Sequence, residues 1–150
     1  MSRFRVISDP IGLEAFRQGL LDDTCGAYVQ FEGWVRDHNE GRKVLRLEYE
    51  VYEPLAVKEG EKIIDEAIER FGVTRAEAIH RNGLMELSEV AVVVGVSSPH
   101  RDEAFEACRY IIDQAKVRLP IWKKEHYASG ETEWVNCQRC AEHAHPAGAA

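Results

Sequence analysis

Apolar and polar side chains alternate from Arg3 to Ser8, the period of a short strand. Asp9 followed by Pro10 supplies a cap and a first helical position, so a helix to about Leu21 is expected next. From Ala27 the odd positions Ala27, Val29, Phe31, Gly33 and Val35 oppose Tyr28, Gln30, Glu32, Trp34 and Arg36. Leu45, Leu47, Tyr49 and Val51 repeat that two-residue period. The polar stretch RDHNEGR between them contains Asn39 and Gly41, so the two runs read as a long hairpin with a mobile tip. Arg36 stands where the first of these strands leaves the sheet.

Pro54 opens a second helix, in which Leu55, Ile63, Ile64, Ala67, Ile68 and Phe71 recur at helical spacing and Gly60 is a local weakness. Val73 to Arg81 reads as a strand. Val90 to Ser97 is a continuous apolar run suited to a strand covered on both faces, the expected centre of the sheet. Ser98 and Pro99 read as cap and first position of a third helix, which carries His100 and Arg101 in its first turn and runs to about Leu119. Pro120 ends that helix, and PIWKKEHY continues as an extended segment that closes near Trp134 and Val135. After Asn136 the composition turns to Ala, His, Pro and Gly. No repeat or linker divides the chain, so one α+β domain over residues 1–136 is expected, mostly antiparallel, with a flexible tail at 137–150.

Composition narrows the function classes. The formal charge of -7 and pI near 5.4 give the long-range field the wrong sign for nucleic acid or anionic lipid, so an anionic ligand needs a local cationic pocket. The opening MSRFRVISDPIG lacks the apolar stretch of a secretion signal, and no run approaches the roughly 18 apolar residues that span a bilayer. A cytoplasmic protein is expected. Four cysteines, Cys25, Cys108, Cys137 and Cys140, are too few to be needed as a framework, and reduced thiols are the default. Cys25 and Cys108 are expected in the core, and buried packing is the default for Trp34, Trp122 and Trp134, although each could stack on a flat ligand.

Arg36, His100, Arg101, Lys116, Lys123 and Lys124 lie at ends of elements, where side chains can converge on a cleft; a solvated face is the competing reading for each. His100 and Arg101 share the first turn of a helix with its unpaired N–H groups, and this accumulation of positive charge favours an anion, unless His100 simply faces solvent. Lys116 near the C-terminal end of the same helix relieves the dipole there, yet Lys123 follows one short turn later. If both amines face one pocket, their mutual repulsion leaves one able to act as nucleophile or proton carrier. Arg101 and Lys116 are separated along the helix by roughly 22 Å at ~1.5 Å per residue, so both can serve one small ligand only across a two-fold interface. In the tail, Cys137, Cys140, His143 and His145 are residue types that zinc selects, but they are crowded within nine positions, and a frayed tail is the alternative.

Five segments in order, FEGWVRDHNEG, LEYEVYEPLA, IHRNGLMELSE, SSPHRDEAFEAC and KVRLPIWKKE followed by WV, resemble the large-subunit family of molybdopterin synthase over about Val29 to Val135. The resemblance implies an α/β hammerhead fold and a homodimer. It also implies a small ubiquitin-like sulfur-carrier subunit at each distal end, making a heterotetramer. The carrier's C-terminal Gly-Gly thiocarboxylate would enter a pocket on this chain and transfer sulfur to cyclic pyranopterin monophosphate, forming the dithiolene of molybdopterin without a metal or other cofactor. By the same resemblance Lys116 and Lys123 are the catalytic pair, and Arg36, His100 and Arg101 bind the pterin phosphate, the last two from the partner protomer. No role is carried over to Arg139, where the family pattern departs. A non-catalytic groove for a ubiquitin-like tail, or a zinc-dependent regulator built on the tail residues, are the rival readings.

Overall fold

The computed structural model describes residues 2–136. Their order is β1 (Phe4–Ile7), α1 (Leu13–Gln18), β2 (Ala27–Trp34), β3 (His38–Asn39), β4 (Arg42–Val51), α2 (Glu53–Phe71), β5 (Arg75–Arg81), β6 (Gly83–Glu86), β7 (Val90–Ser98), α3 (Arg101–Arg118), β8 (Ile121–Tyr127) and β9 (Thr132–Asn136). One sheet runs β1, β5, β7, β2; β1 is parallel to β5 and the other pairings are antiparallel. The second runs β3, β4, β8, β9, with β6 also on β4, all antiparallel. The expected α+β, largely antiparallel architecture is observed.

The central strand follows from its composition. All eight residues of β7 from Ala91 to Ser98 are buried because both faces are covered. On one face α2 and α3 bring Ile63, Ile64, Ala67, Ala107 and Ile111 against Val92, Val94 and Val96; on the other Phe16 of α1 and Leu20, just beyond the helix, lie over Val93 and Ile79. Close packing sets two glycines. A Cβ on Gly95 would stand 2.6 Å from Leu20 Cδ1, and one on Gly60 would stand 2.2 Å from Phe4 Cγ. Gly60 is therefore the point at which α2 closes on the β1 ring, and its packing role overrides its low helix propensity.

Several boundaries differ from the sequence reading. The expected long hairpin does not form: β2 pairs with β7 in one sheet, β4 with β6 and β8 in the other, and only His38–Asn39 pairs back onto Arg42–Lys43. The chain leaves the first sheet at Val35, whose N–H bonds the Glu89 carbonyl, and crosses to the second. Both runs alternate because each strand is half-covered, and alternation does not name the partner. A bulge between Val44 and Arg46 turns Val44 inward and leaves Leu45 41% exposed. α1 begins at Leu13, not Pro10, and stops at Gln18 so that Leu20 can fold back beside Phe16. Ser98 does not cap α3, because it is held in the ladder opposite Ala27; His100 takes the cap position without a side-chain hydrogen bond. β6 was not anticipated, and the PIWKKEHY segment proves to be one arm of a β8–β9 hairpin.

Candidate active site

A cavity of about 90 Å³ lies where the C-terminal half of α3 passes over the junction of the two sheets. Its walls are mostly apolar, including Val92, Val94, Ile111 and Ala115, and its polar members are Tyr49, His80 and Lys116, with Trp34 at the margin. That volume is well below the ~300 Å³ at which pockets for drug-sized molecules begin, so it suits a slender chain better than a fused ring system. Lys116 is exposed as a residue but contributes to this lining from the last turn of α3. Ala115 beside it is buried, which fixes the turn of helix that presents the amine.

His80 is 8% exposed. Its Nδ1 lies 2.8 Å from the Arg81 carbonyl oxygen, which can only accept, so Nδ1 carries the hydrogen and Nε2 is left with a lone pair. The Tyr49 ring meets the imidazole edge-on at a centroid distance of 4.9 Å. Burial pushes the imidazole pKa down to about 4, against the opposing backbone hydrogen bond, and the Lys116 charge lowers it further. The ring is therefore neutral near pH 7.

Lys123 stands directly opposite Tyr49 in the β4–β8 ladder, and so shares the face of the sheet on which Tyr49 meets the cavity. Its Nζ is 3.5 Å from Glu125 Oε1, and Glu125, two residues along the same face, is 1% exposed. The same Oε1 accepts a 2.9 Å hydrogen bond from Asn39 Nδ2, and Asn39 Oδ1 accepts one of 3.4 Å from Arg36. A chain of contacts thus runs from Arg36 at the crossover through Asn39 and Glu125 to Lys123. Glu125 Oε2 is buried without a hydrogen-bond partner among the described residues. An arrangement that leaves a buried carboxylate half satisfied costs stability, and it is best understood by what it positions.

The structure therefore lines the cavity with Lys116, sets Lys123 across the ladder from its Tyr49 wall, and links Arg36 to Lys123 through Asn39 and Glu125. It does not bring His100 and Arg101 there: both are exposed at the opposite end of α3, with no ion pair or hydrogen bond to another described side chain. Lys124 points away and lies 5.5 Å over the Trp134 ring. The tryptophans depart from the buried default, with Trp34 64%, Trp122 38% and Trp134 46% exposed. Cys108 is buried and its thiol pKa is pushed up to about 11 by burial, whereas Cys25 is only half-buried. Cys137, Arg139, Cys140, His143 and His145 lie outside the described residues. Among those described, no three His, Cys, Asp or Glu side chains are grouped to hold a metal ion.

Asn39, His80 and Glu125 had no role in the sequence reading, although a signal was present. Strict alternation along β8 puts Lys123 and Glu125 on the side of Ile121 and Tyr127, and along β5 puts His80 with Ala76 and Ala78. Polar groups on the buried side of a strand mark a site more sharply than cations at element ends.

The family model described as MoaE protein matches residues 6–118. The molybdopterin synthase catalytic subunit of Staphylococcus carnosus is 41% identical over 139 residues, covering 93% of this chain and 92% of that protein. That of Drosophila melanogaster is 40% identical over 136 residues, 89% of this chain but 37% of the longer fly protein. The X-ray structure of molybdopterin synthase from Staphylococcus aureus superposes with a TM-score of 0.85 at 38% identity, covering 90% of this chain and 98% of that one. On a family match across most of its length and relatives near two-fifths identity, the chain belongs to the MoaE family of molybdopterin synthase catalytic subunits.

Proposed function

We propose that this chain transfers sulfur from the C-terminal thiocarboxylate of a small ubiquitin-like carrier to cyclic pyranopterin monophosphate, forming the dithiolene of molybdopterin. Each transfer exchanges a pterin C–O bond for a C–S bond and returns the carrier terminus as a carboxylate, so no oxidant or reductant is consumed. The observation that carries this reading is a narrow, apolar cavity with Lys116 in its lining and Lys123 across the ladder from its Tyr49 wall. A diglycine tail has no side chains to obstruct such a passage, and Lys116 is placed to pair with its anionic end. Lys123, held by Glu125, then handles protons or developing charge where C–O bonds yield.

Arg36 and the exposed His100 and Arg101 bind the pterin phosphate. Because the latter pair stands at the far end of α3 from Lys116, the partner protomer of a homodimer supplies them, and two carriers complete a heterotetramer. No helix among the described residues is long and apolar enough to cross a membrane, and we place the reaction in the cytoplasm. The test is conversion of cyclic pyranopterin monophosphate by the purified chain with a thiocarboxylated carrier. Product from the wild type and a steep loss in Lys116→Ala or Lys123→Ala supports the reading. Stable carrier binding with no product would leave only a binding module.

A further inference from the structure

We infer that His80 accepts, through Nε2, the amide N–H of the last peptide bond of the carrier's diglycine terminus when that tail occupies the cavity. The inference rests on the proposed function, which makes the cavity the seat of the tail. It deepens that reading by naming the group that recognises a backbone rather than a charge.

A glycine tail drawn into a cavity walled by Val92, Val94, Ile111 and Ala115 takes its amide N–H out of water, and a buried amide N–H without an acceptor is costly. Lys116 can donate but never accept. Trp34 Nε1 also only donates, and is engaged with Glu32 Oε1 at 2.9 Å. The Tyr49 hydroxyl both donates and accepts and its hydrogen rotates, so it does not fix the direction of an amide as a ring lone pair does, and His80 supplies such a lone pair. Its Nδ1–H is committed to the Arg81 carbonyl, so the free lone pair is on Nε2, and no described residue donates to Nε2. The edge-on contact of Tyr49 limits rotation of the ring. Lowered basicity, caused first by burial, keeps that lone pair available at neutral pH instead of occupied by a proton. Lys116 for the anionic terminus and His80 for the preceding amide would together fix both position and direction of a chain that has no side chain to be read.

Steady-state turnover with wild type, His80→Asn and His80→Gln decides the matter. Asn keeps a donor near the Nδ1 position for the Arg81 carbonyl but has no acceptor at the reach of Nε2, whereas Gln extends farther and restores one. His80→Asn is expected to raise KM for the carrier about tenfold with kcat within about threefold, and His80→Gln to recover much of that loss. A second measurement needs no substitution in this chain: a peptide ending in Gly-Gly is set against the same peptide with its last amide N-methylated, as competitors for the carrier. The methylated peptide is expected to compete about tenfold less well against wild type, with that difference abolished in His80→Asn. Equal competition by the two peptides, or an unchanged carrier KM in His80→Asn while wild type makes product, overturns the inference and leaves the proposed function standing. Absence of product from wild type with a competent carrier brings down both.

Discussion

The two ends of α3 carry the same kind of charge in opposite settings. At the N-terminal end His100 and Arg101 are exposed and have no described partner; at the C-terminal end Lys116 adjoins a cavity, and Lys123 is braced by a carboxylate that is 1% exposed. Cations in water are free to meet a mobile anion and are worth little until they do. Cations beside buried polar groups are already placed, and the cost of placing them has been met during folding. On the proposed function, one end is prepared for chemistry and the other for capture, and the contrast predicts unlike consequences for similar substitutions.

The largest effect belongs to the prepared end. Lys116→Ala or Lys123→Ala should lower kcat about 10²- to 10³-fold, the loss typical of a preorganised electrostatic group, with carrier KM little changed in Lys123→Ala and raised in Lys116→Ala, whose amine also pairs with the carrier terminus. A rapid-quench assay under saturating carrier measures it. Similar small losses at both lysines would place the chemistry elsewhere.

Next in size is a stability term that exists only where burial is deep. An unfolded chain protonates its histidine as pH falls through about 6.5, whereas His80 in the fold resists until about 4. Between those values the unfolded state binds the extra proton, so stability present at neutral pH is lost as pH falls, by about 3 kcal/mol in full. Urea unfolding at pH 7 and pH 4 should show wild type losing about that much more than His80→Gln. Equal losses would mean that the imidazole is hydrated.

At the open end, Arg101→Ala should raise KM for the pterin about tenfold and leave carrier KM unchanged. Mixing Arg101→Ala with Lys116→Ala chains tests the two-fold site directly. If the partner supplies Arg101, each mixed dimer contains one site free of both substitutions, and random assortment restores about a quarter of wild-type activity. Recovery no greater than the sum of the separate variants would confine each site to one chain.

Much of this comparison was legible before any coordinates. The continuous apolar run of β7 announced a strand covered on both faces, and Pro54 and Pro120 marked a helix start and a helix end. Lys116, Lys123 and Arg36 stood out as cations at element ends. What periodicity could not carry was partnership. The alternation of β2 and β4 is the same whether they pair with each other or with β7 and β8, because each strand reports only that it has one drier face. The bulge at Val44 and the capture of Ser98 by the β2 ladder likewise depend on neighbours distant in the chain. His80 and Glu125 fell between the two kinds of signal: their strand positions were readable as inward, but charged and polar residue types suggested surface.

The smallest effect sharpens how far the preparation extends. Asn39 lies beyond the crossover between the sheets, in a segment with exposed neighbours, yet its amide donates to Glu125 and its carbonyl oxygen takes a bond from Arg36. Asn39→Ala removes one neutral-to-charged hydrogen bond from a carboxylate that keeps its ion pair with Lys123. If Asn39 merely decorates the loop, turnover is untouched and only the exposed chain becomes more mobile. If Glu125 positions Lys123 and Asn39 positions Glu125, kcat falls about fivefold, the equivalent of ~1 kcal/mol, while pterin KM also rises as Arg36 loses its anchor. Asn39→Asp separates position from polarity, since it keeps the shape but sets a second carboxylate against Glu125, and should cost more than Ala. An Asp variant as active as wild type would cut the link between Arg36 and Lys123, and with it the claim that the prepared end reaches as far as the crossover between the sheets.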